Sequence, residues 1–215
     1  MEKDPGIPSL EAADLRCARG ERTLFDGLSF ALKSGELLRI GGPNGSGKTS
    51  LLRIACGLLE PDRGEVRWGG ENVRKLREEF WVRLLYIGHA NALKDDLTAS
   101  ENLSVACTLA GIVADERRID EALARLGLAG RENLPARVLS QGQRRRVALA
   151  RLALGADSPL WVLDEPFTAL DAAAIDCVQE LISGHVSRGG GVLYTTHYEA
   201  SIGAAISRRI DLAGS

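Results

Sequence analysis

Apolar residues recur along this chain with two different periods. In "LEAADLRC" and "LSFALKSGELLRIGG" they mostly alternate with polar ones, which reads as strands joined by a turn at "KSGE". "TSLLRIACGLL" changes to the longer helical spacing, so a helix is expected from Thr49 to about Leu58, ended by "EPDRGE". "EVRWGGENV" reads as a hairpin turning at Gly69-Gly70, and "RLLYIG" as a further strand.

From about Asn91 to Leu154 the helical period dominates. "TASE" (98–101) has the form of a capping box, a side chain and a backbone amide satisfying each other at both ends of a helical turn. "DERRIDEALARLG" (115–127) is amphipathic and stops at Gly127, and "SQGQRRRVALARLALG" runs from Ser140 to Gly155. Strand–helix alternation then returns in "PLWVLDEP", a helix over roughly 172–187, and "GGGVLYTTH". The pattern predicts an α/β core made of residues 10–90 and 156–215, a helical subdomain inserted at 91–155, and a loose leader over 1–9. No internal repeat or low-complexity segment is visible.

Composition narrows the chemistry. The 215 residues, 45% hydrophobic and 26% charged, suit a soluble globular protein of one substantial domain, or of one domain with an inserted subdomain. A net charge of −2 offers no electrostatic case for nucleic acid as a main ligand. Cys17, Cys56, Cys107 and Cys177 lie far apart, with no CxxC pair, and read as reduced thiols of a cytosolic protein. "MEKDPGIPSL" lacks the apolar core of a secretory signal, and no apolar run approaches the ~18 residues of a membrane helix. Work at a membrane would need another chain to bring this one there.

The chemistry begins at "GGPNGSGKTS". Gly42 to Thr49 fit GxxxxGK[ST], between the strand "LLRI" and the expected helix, the setting in which such a loop cradles phosphate. Its amides and the helix N-terminus attract anions, Lys48 can reach β- and γ-phosphates, and the Thr49 hydroxyl can ligate Mg²⁺. "LWVLDEP" then ends an apolar strand in two acids, which are costly there unless they meet a cation. Asp164 suits Mg²⁺, and Glu165 can polarise an attacking water. In "LSQGQ", Ser140 and Gln143 form a capping box in their own right, and the same helix start with the bare amide of Gly142 is also an anion site.

Together with "TALD" (168–171) and "TTH" ending at His197, these motifs resemble those of ATP-binding-cassette (ABC) ATPases over nearly all of residues 10–213. The resemblance implies a P-loop NTPase core of ABC type with an inserted helical subdomain, and ATP with Mg²⁺ as ligands. It implies that Gly42, Pro43, Asn44, Gly45, Ser46, Gly47, Lys48, Thr49 and Ser50 hold ATP, that Lys48, Glu165 and His197 are catalytic, and that Thr49 and Asp164 hold the metal. It also implies a head-to-tail dimer, in which Ser140, Gly142 and Gln143 act on the other subunit's nucleotide and Asp171 lines the interface.

Three positions depart from the family pattern. Gln141 stands where the signature commonly has glycine. His89, in "LLYIGH", occupies the place of the family's Q-loop glutamine, which meets Mg²⁺ or the attacking water and relays nucleotide state to a membrane partner. An imidazole offers hydrogen bonding there. Finally, the stretch that usually stacks an aromatic ring on adenine, "LEAADLRCARGERTL", has none. Arg19, with Arg22 nearby, could stack a guanidinium on the base, and both could equally be solvated.

"ERTLFDGLSF", "LLYIGH", "LTASENL" and "DEPFTALD" narrow the resemblance to the ATPase subunits of the haem exporter complex of cytochrome c maturation. That subfamily implies integral membrane transporter subunits as partners, an indirect link to a haem chaperone, and a place on the cytoplasmic face of the bacterial inner membrane. An ABC ATPase serving another transported substrate remains open. A soluble ABC ATPase of translation or DNA repair would commonly carry two cassettes or long coiled coils, and neither is present in this sequence. A non-hydrolysing regulatory cassette is opposed by Lys48, Asp164 and Glu165.

Overall fold

The computed structural model describes residues 9–198, 202–203 and 207–212, so of the expected leader only Ser9 is described. The strongest apolar runs form its centre. β3 (Leu37–Gly41), β7 (Leu160–Asp164) and β8 (Gly191–Thr195) are flanked by β6 (Leu84–Ile87) and β9 (Ser207–Asp211) in a parallel sheet of order β6-β7-β8-β3-β9. β7 and β8 are buried at every position because both sheet faces are covered. Leu160, Val162 and Leu193 face one core, and Trp161, Leu163, Val192 and Tyr194 the other.

The first core holds α1 (Lys48–Ala55), whose Leu51, Leu52, Ile54 and Ala55 are all buried, sandwiched against an antiparallel sheet of order β2-β1-β4-β5. Its strands are β1 (Leu10–Arg19), β2 (Arg22–Leu32), β4 (Arg63–Trp68) and β5 (Glu71–Asn72). The hairpin at Gly69-Gly70 closes with Trp68 opposite Glu71. β2 starts at Arg22, six residues before the strand expected at Leu28. Register shifts around Leu15 and Cys17 let the neighbours Leu24 and Phe25 both be buried, which breaks the alternation. Two short helices, α2 (Val73–Leu76) and α3 (Glu78–Trp81), lead to β6.

The second core unites α8 (Ala172–Ser187) with the helical stretch: α4 (Ala99–Leu109), α5 (Glu116–Arg125), a 3₁₀ turn (Ala136–Val138), α6 (Gln141–Leu149) and α7 (Arg151–Leu154). Leu103, Leu123 and Val147 share it with Leu85, Leu163 and Val178, so the inserted helices have no core separate from the sheet. Thr98 with Glu101, and Ser140 with Gln143, form capping boxes. The single helix expected over 140–155 breaks at Ala150 into α6 and α7. All four cysteines are free thiols, three of them buried.

Candidate active site

Four parallel strands deliver chemistry to one edge of the sheet. β3 runs into the glycine loop, β7 into Asp164 and Glu165, β8 into His197, and β6 into His89. All four border a cavity of about 660 Å³, which Arg19 and Arg22 reach from the β1–β2 turn, where they pair across the strands. A crevice beyond the carboxyl ends of parallel strands is where open α/β sheets hold ligands.

The loop leaves its polar groups available. Gly47 is the N-cap of α1 in a left-handed conformation (φ +96), and no side chain caps the helix. Its first amides therefore have no side-chain partner within the protein. The Ser46 hydroxyl is buried without a hydrogen-bond partner. Lys48 Nζ donates to the carbonyls of Gly42 and Pro43 at 2.8 and 3.0 Å, which holds the ammonium over the loop. Asn44, Gly45, Gly47, Lys48, Thr49 and Ser50 border the cavity, whereas Gly42, Pro43 and Ser46 do not.

Asp164 is buried and held at both oxygens. Thr49 Oγ1 donates to Oδ2 at 2.8 Å, and Thr195 Oγ1 donates to Oδ1 at 2.7 Å. Glu165 adopts a left-handed backbone (φ +49), uncommon for a residue with a side chain. Its amide donates to Thr195 Oγ1 at 2.9 Å, and its Oε2 accepts from the His197 amide at 3.1 Å. Oε1 lies 3.4 Å from His197 Nε2, yet is buried without a hydrogen-bond partner. His89 and His197 are both exposed at the cavity.

Ser140, Gly142, Gln143 and Asp171 do not border the cavity of their own chain. Ser140 and Gln143 satisfy each other at the start of α6, at 2.9 and 3.2 Å. Asp171 caps α8 through the Ala174 amide, a bond that holds its carboxyl below the usual range, and it pairs with Arg146 at 2.7 Å. Gly142 has no room for a side chain, since a Cβ would lie 2.6 Å from the Ala169 carbonyl. The motif pattern does not point to Arg145, yet this buried side chain binds the backbone of Asp164, Glu165 and Gly88. The available signal was three successive arginines on a helix with a buried face.

The donor set fits a magnesium nucleotide. Uncapped amides and Lys48 suit phosphate, and Thr49 and Asp164 supply oxygen ligands, the kind Mg²⁺ prefers. Among the described residues no three His, Cys, Asp or Glu side chains form a closed metal cluster. Mg²⁺ is commonly held by one or two protein groups plus the substrate's phosphates.

The sequence profile of the family described as "ABC transporter" matches residues 25–168. The chain belongs to the ABC transporter family. As a member it is an ATP-binding-cassette ATPase. The cytochrome c biogenesis ATP-binding export protein CcmA of Nitrosospira multiformis is 52% identical over 206 residues, covering 96% of this chain and 100% of that one. Its counterpart in Aromatoleum aromaticum is 58% identical over 193 residues, covering 90% of each. An ABC transporter ATP-binding protein of Pyrococcus furiosus shares the fold, with a TM-score of 0.80 at 24% identity, covering 95% of this ABC ATPase and 97% of that chain. A dimeric ABC cassette in a post-hydrolysis state with ADP and Pi aligns with a TM-score of 0.76 at 26% identity, covering 88% of each chain.

Proposed function

We propose that this ABC ATPase is the ATP-hydrolysing subunit of a membrane export complex of cytochrome c biogenesis, working as a head-to-tail dimer. The observation that carries this reading is the loop after β6, which joins two sites. His89 borders the nucleotide cavity, while Ala92 and Lys94, a few residues on, line a groove of about 430 Å³. That groove exposes Leu58, Trp81, Val105 and Leu109, an apolar face suited to a segment of a membrane subunit. A loop shared by both sites can pass nucleotide state to the partner. Among the described residues no helix is long and apolar enough to cross a membrane, so attachment to the cytoplasmic face of the inner membrane would run through partner subunits.

In this reading Lys48 and the loop amides hold the β- and γ-phosphates of ATP. Mg²⁺ at Thr49 and Asp164 would neutralise charge on those phosphates. Glu165, through its unpaired Oε1, accepts the proton of the water that attacks the γ-phosphorus as the bond to the β-phosphate oxygen breaks. His197 hydrogen-bonds the departing phosphate. Ser140, Gly142 and Gln143 of a second copy close the site from the other side, with Asp171 along the seam. His89 would offer a hydrogen bond to water beside the metal, and Arg19 or Arg22 would stack on the base. The export step would release a haem-loaded chaperone from the membrane subunits, and haem need not touch this chain.

The test is purification of the tagged chain from membranes, with identification of its partners. ATPase and chaperone release would be measured in wild type, His89→Gln and His89→Ala. Transporter subunits of cytochrome c biogenesis should co-purify. His89→Ala should lose chaperone release more than ATP binding, and His89→Gln should retain appreciable ATPase. Co-purification with transporter subunits for another substrate would replace the haem assignment. Wild-type behaviour of His89→Ala in both assays would remove the relay.

A further inference from the structure

Arg145 is the middle of three consecutive arginines near the start of α6, and it alone turns fully inward. Arg144 pairs with Asp95 at 2.6 Å and Arg146 with Asp171 at 2.7 Å, both at the surface. Arg145 is 4% exposed and pairs with no carboxylate side chain among the described residues; its four acceptors come from two segments, the loop after β6 and the end of β7. Nη2 donates to the backbone carbonyls of Asp164 and Glu165, each at 2.9 Å. Nη1 donates to the Gly88 carbonyl at 2.9 Å and to Asn91 Oδ1 at 3.3 Å. Nε is buried without a partner. Burial lowers the guanidinium's proton affinity, and the nearby Asp164 and Glu165 oppose that.

The acceptors identify what is being held. Gly88 and Asn91 bracket His89. The carbonyl of Glu165 belongs to a residue kept in a left-handed conformation, whose amide is tied separately to Thr195. A rigid planar fork can hold two carbonyls on one side and a loop on the other; a single ammonium cannot span both. The anchor is the helix whose first residues carry Ser140 and Gly142.

We propose that Arg145 is a positioning residue that fastens Glu165 and the His89 loop to the start of α6, so that a shift of α6 when a second copy docks moves the water-facing carboxylate and His89 together. This rests on the reading of Glu165 as the base. It assigns Arg145 no contact with nucleotide, so its loss should separate turnover from binding.

The experiment uses the full chain with Mg–ATP and the variants Arg145→Gln, Arg145→Lys, Asn91→Ala and Glu165→Gln. It reads kcat, KM, affinity for a non-hydrolysable ATP analogue, thermal unfolding, and the ring-proton NMR signals of the three histidines. Arg145→Gln should lower kcat at least tenfold and change KM and analogue affinity less than threefold. It should move the His89 signal and leave that of the distant His185 in place. Arg145→Lys should not restore kcat. Asn91→Ala removes one of the two loop-side acceptors and leaves the Gly88 carbonyl, so it should fold normally, shift the His89 signal and lower kcat two- to fivefold; it decides the matter if the Arg145 variants do not fold. Wild-type kcat in Arg145→Gln, rescue by lysine, or an unmoved His89 signal in Asn91→Ala would each overturn the proposal. Glu165→Gln separates the two readings: if it hydrolyses ATP normally, the assignment of the base fails. If it is inactive while Arg145→Gln turns over normally, only the role of Arg145 fails.

Discussion

The two ends of β7 each keep a titratable side chain with an unpaired atom, under opposite conditions. At the carboxyl end, Oε1 of Glu165 has no hydrogen-bond partner, and its residue borders a cavity of about 660 Å³. At the amino end, His185 from α8 stacks on Trp161 with ring centroids 3.9 Å apart and planes 5° apart. Its Nε2 is also unpaired, but the ring is 2% exposed and closed in by Gly190, where a Cβ would lie 2.0 Å from that nitrogen. An unsatisfied polar atom points to chemistry where a molecule can reach it. Where nothing can, it is a weakness of the fold. Burial is the main cause pushing the His185 pKa down to about 4, with Arg188 adding repulsion.

The comparison predicts that damage at one end should cost turnover and leave stability, and damage at the other the reverse. The largest effect is expected from Glu165→Gln. Loss of a general base should lower kcat by roughly 10²–10⁴-fold, with ATP affinity and melting temperature near wild type and an ATP-bound dimer favoured. Unchanged steady-state ATPase would remove the distinction at its catalytic end.

The opposite end should show in the pH dependence of stability. His185 is neutral in the fold down to about pH 4, whereas in the unfolded chain it takes up a proton near pH 6.5. Below pH 6.5 the unfolded state therefore binds more protons than the native state. Stability is complete above that pH and declines as pH falls toward 4, by roughly 3 kcal/mol from this group. Denaturant melts from pH 8 to 5 should show the decline in wild type and a flatter profile in His185→Gln, with ATPase per folded molecule little changed at pH 8. An identical decline in the variant would place its origin elsewhere.

Lys48→Ala should weaken ATP binding by about 10- to 100-fold, the scale of one charge-assisted contact, without lowering the melting temperature. Equilibrium binding to a non-hydrolysable analogue checks it. The smallest effect belongs to the cavity mouth. Arg19→Ala and Arg22→Ala, made singly, should weaken ATP binding by a few-fold at least at one of the two positions, with little discrimination between ATP and GTP, because a stacked guanidinium reads any purine face. If neither changes affinity, the base is held elsewhere.

Much of this was legible because it is local. The glycine loop, both capping boxes, the hairpin at Gly69-Gly70 and the apolar strand ending in Asp164 and Glu165 each depend on neighbours a few residues away. What was hidden depends on distant partners. β2 is disguised by register shifts set across its pairing with β1. β9 is a largely exposed strand whose "SRRID" has no apolar face, and its backbone pairing with β3 makes it a strand. Arg145 looks like one more surface arginine until the fold brings Gly88 and Glu165 to it. The roles proposed for Ser140, Gly142, Gln143 and Asp171 lie further out still, since these residues do not border the cavity of their own chain.

The two helix starts also imply an order of events. α1 begins with no side chain capping its amides, whereas α6 begins with Ser140 and Gln143 already closing on each other. In the proposed dimer, a solitary cassette would therefore be unfinished at its nucleotide loop and complete at its signature surface. ATP would be taken up first, by the part that lacks something. Only a filled loop would then give the partner's signature helix a reason to approach. Pairing would be conditional on charging, and cassettes depleted of ATP would stay apart without any separate inhibitor.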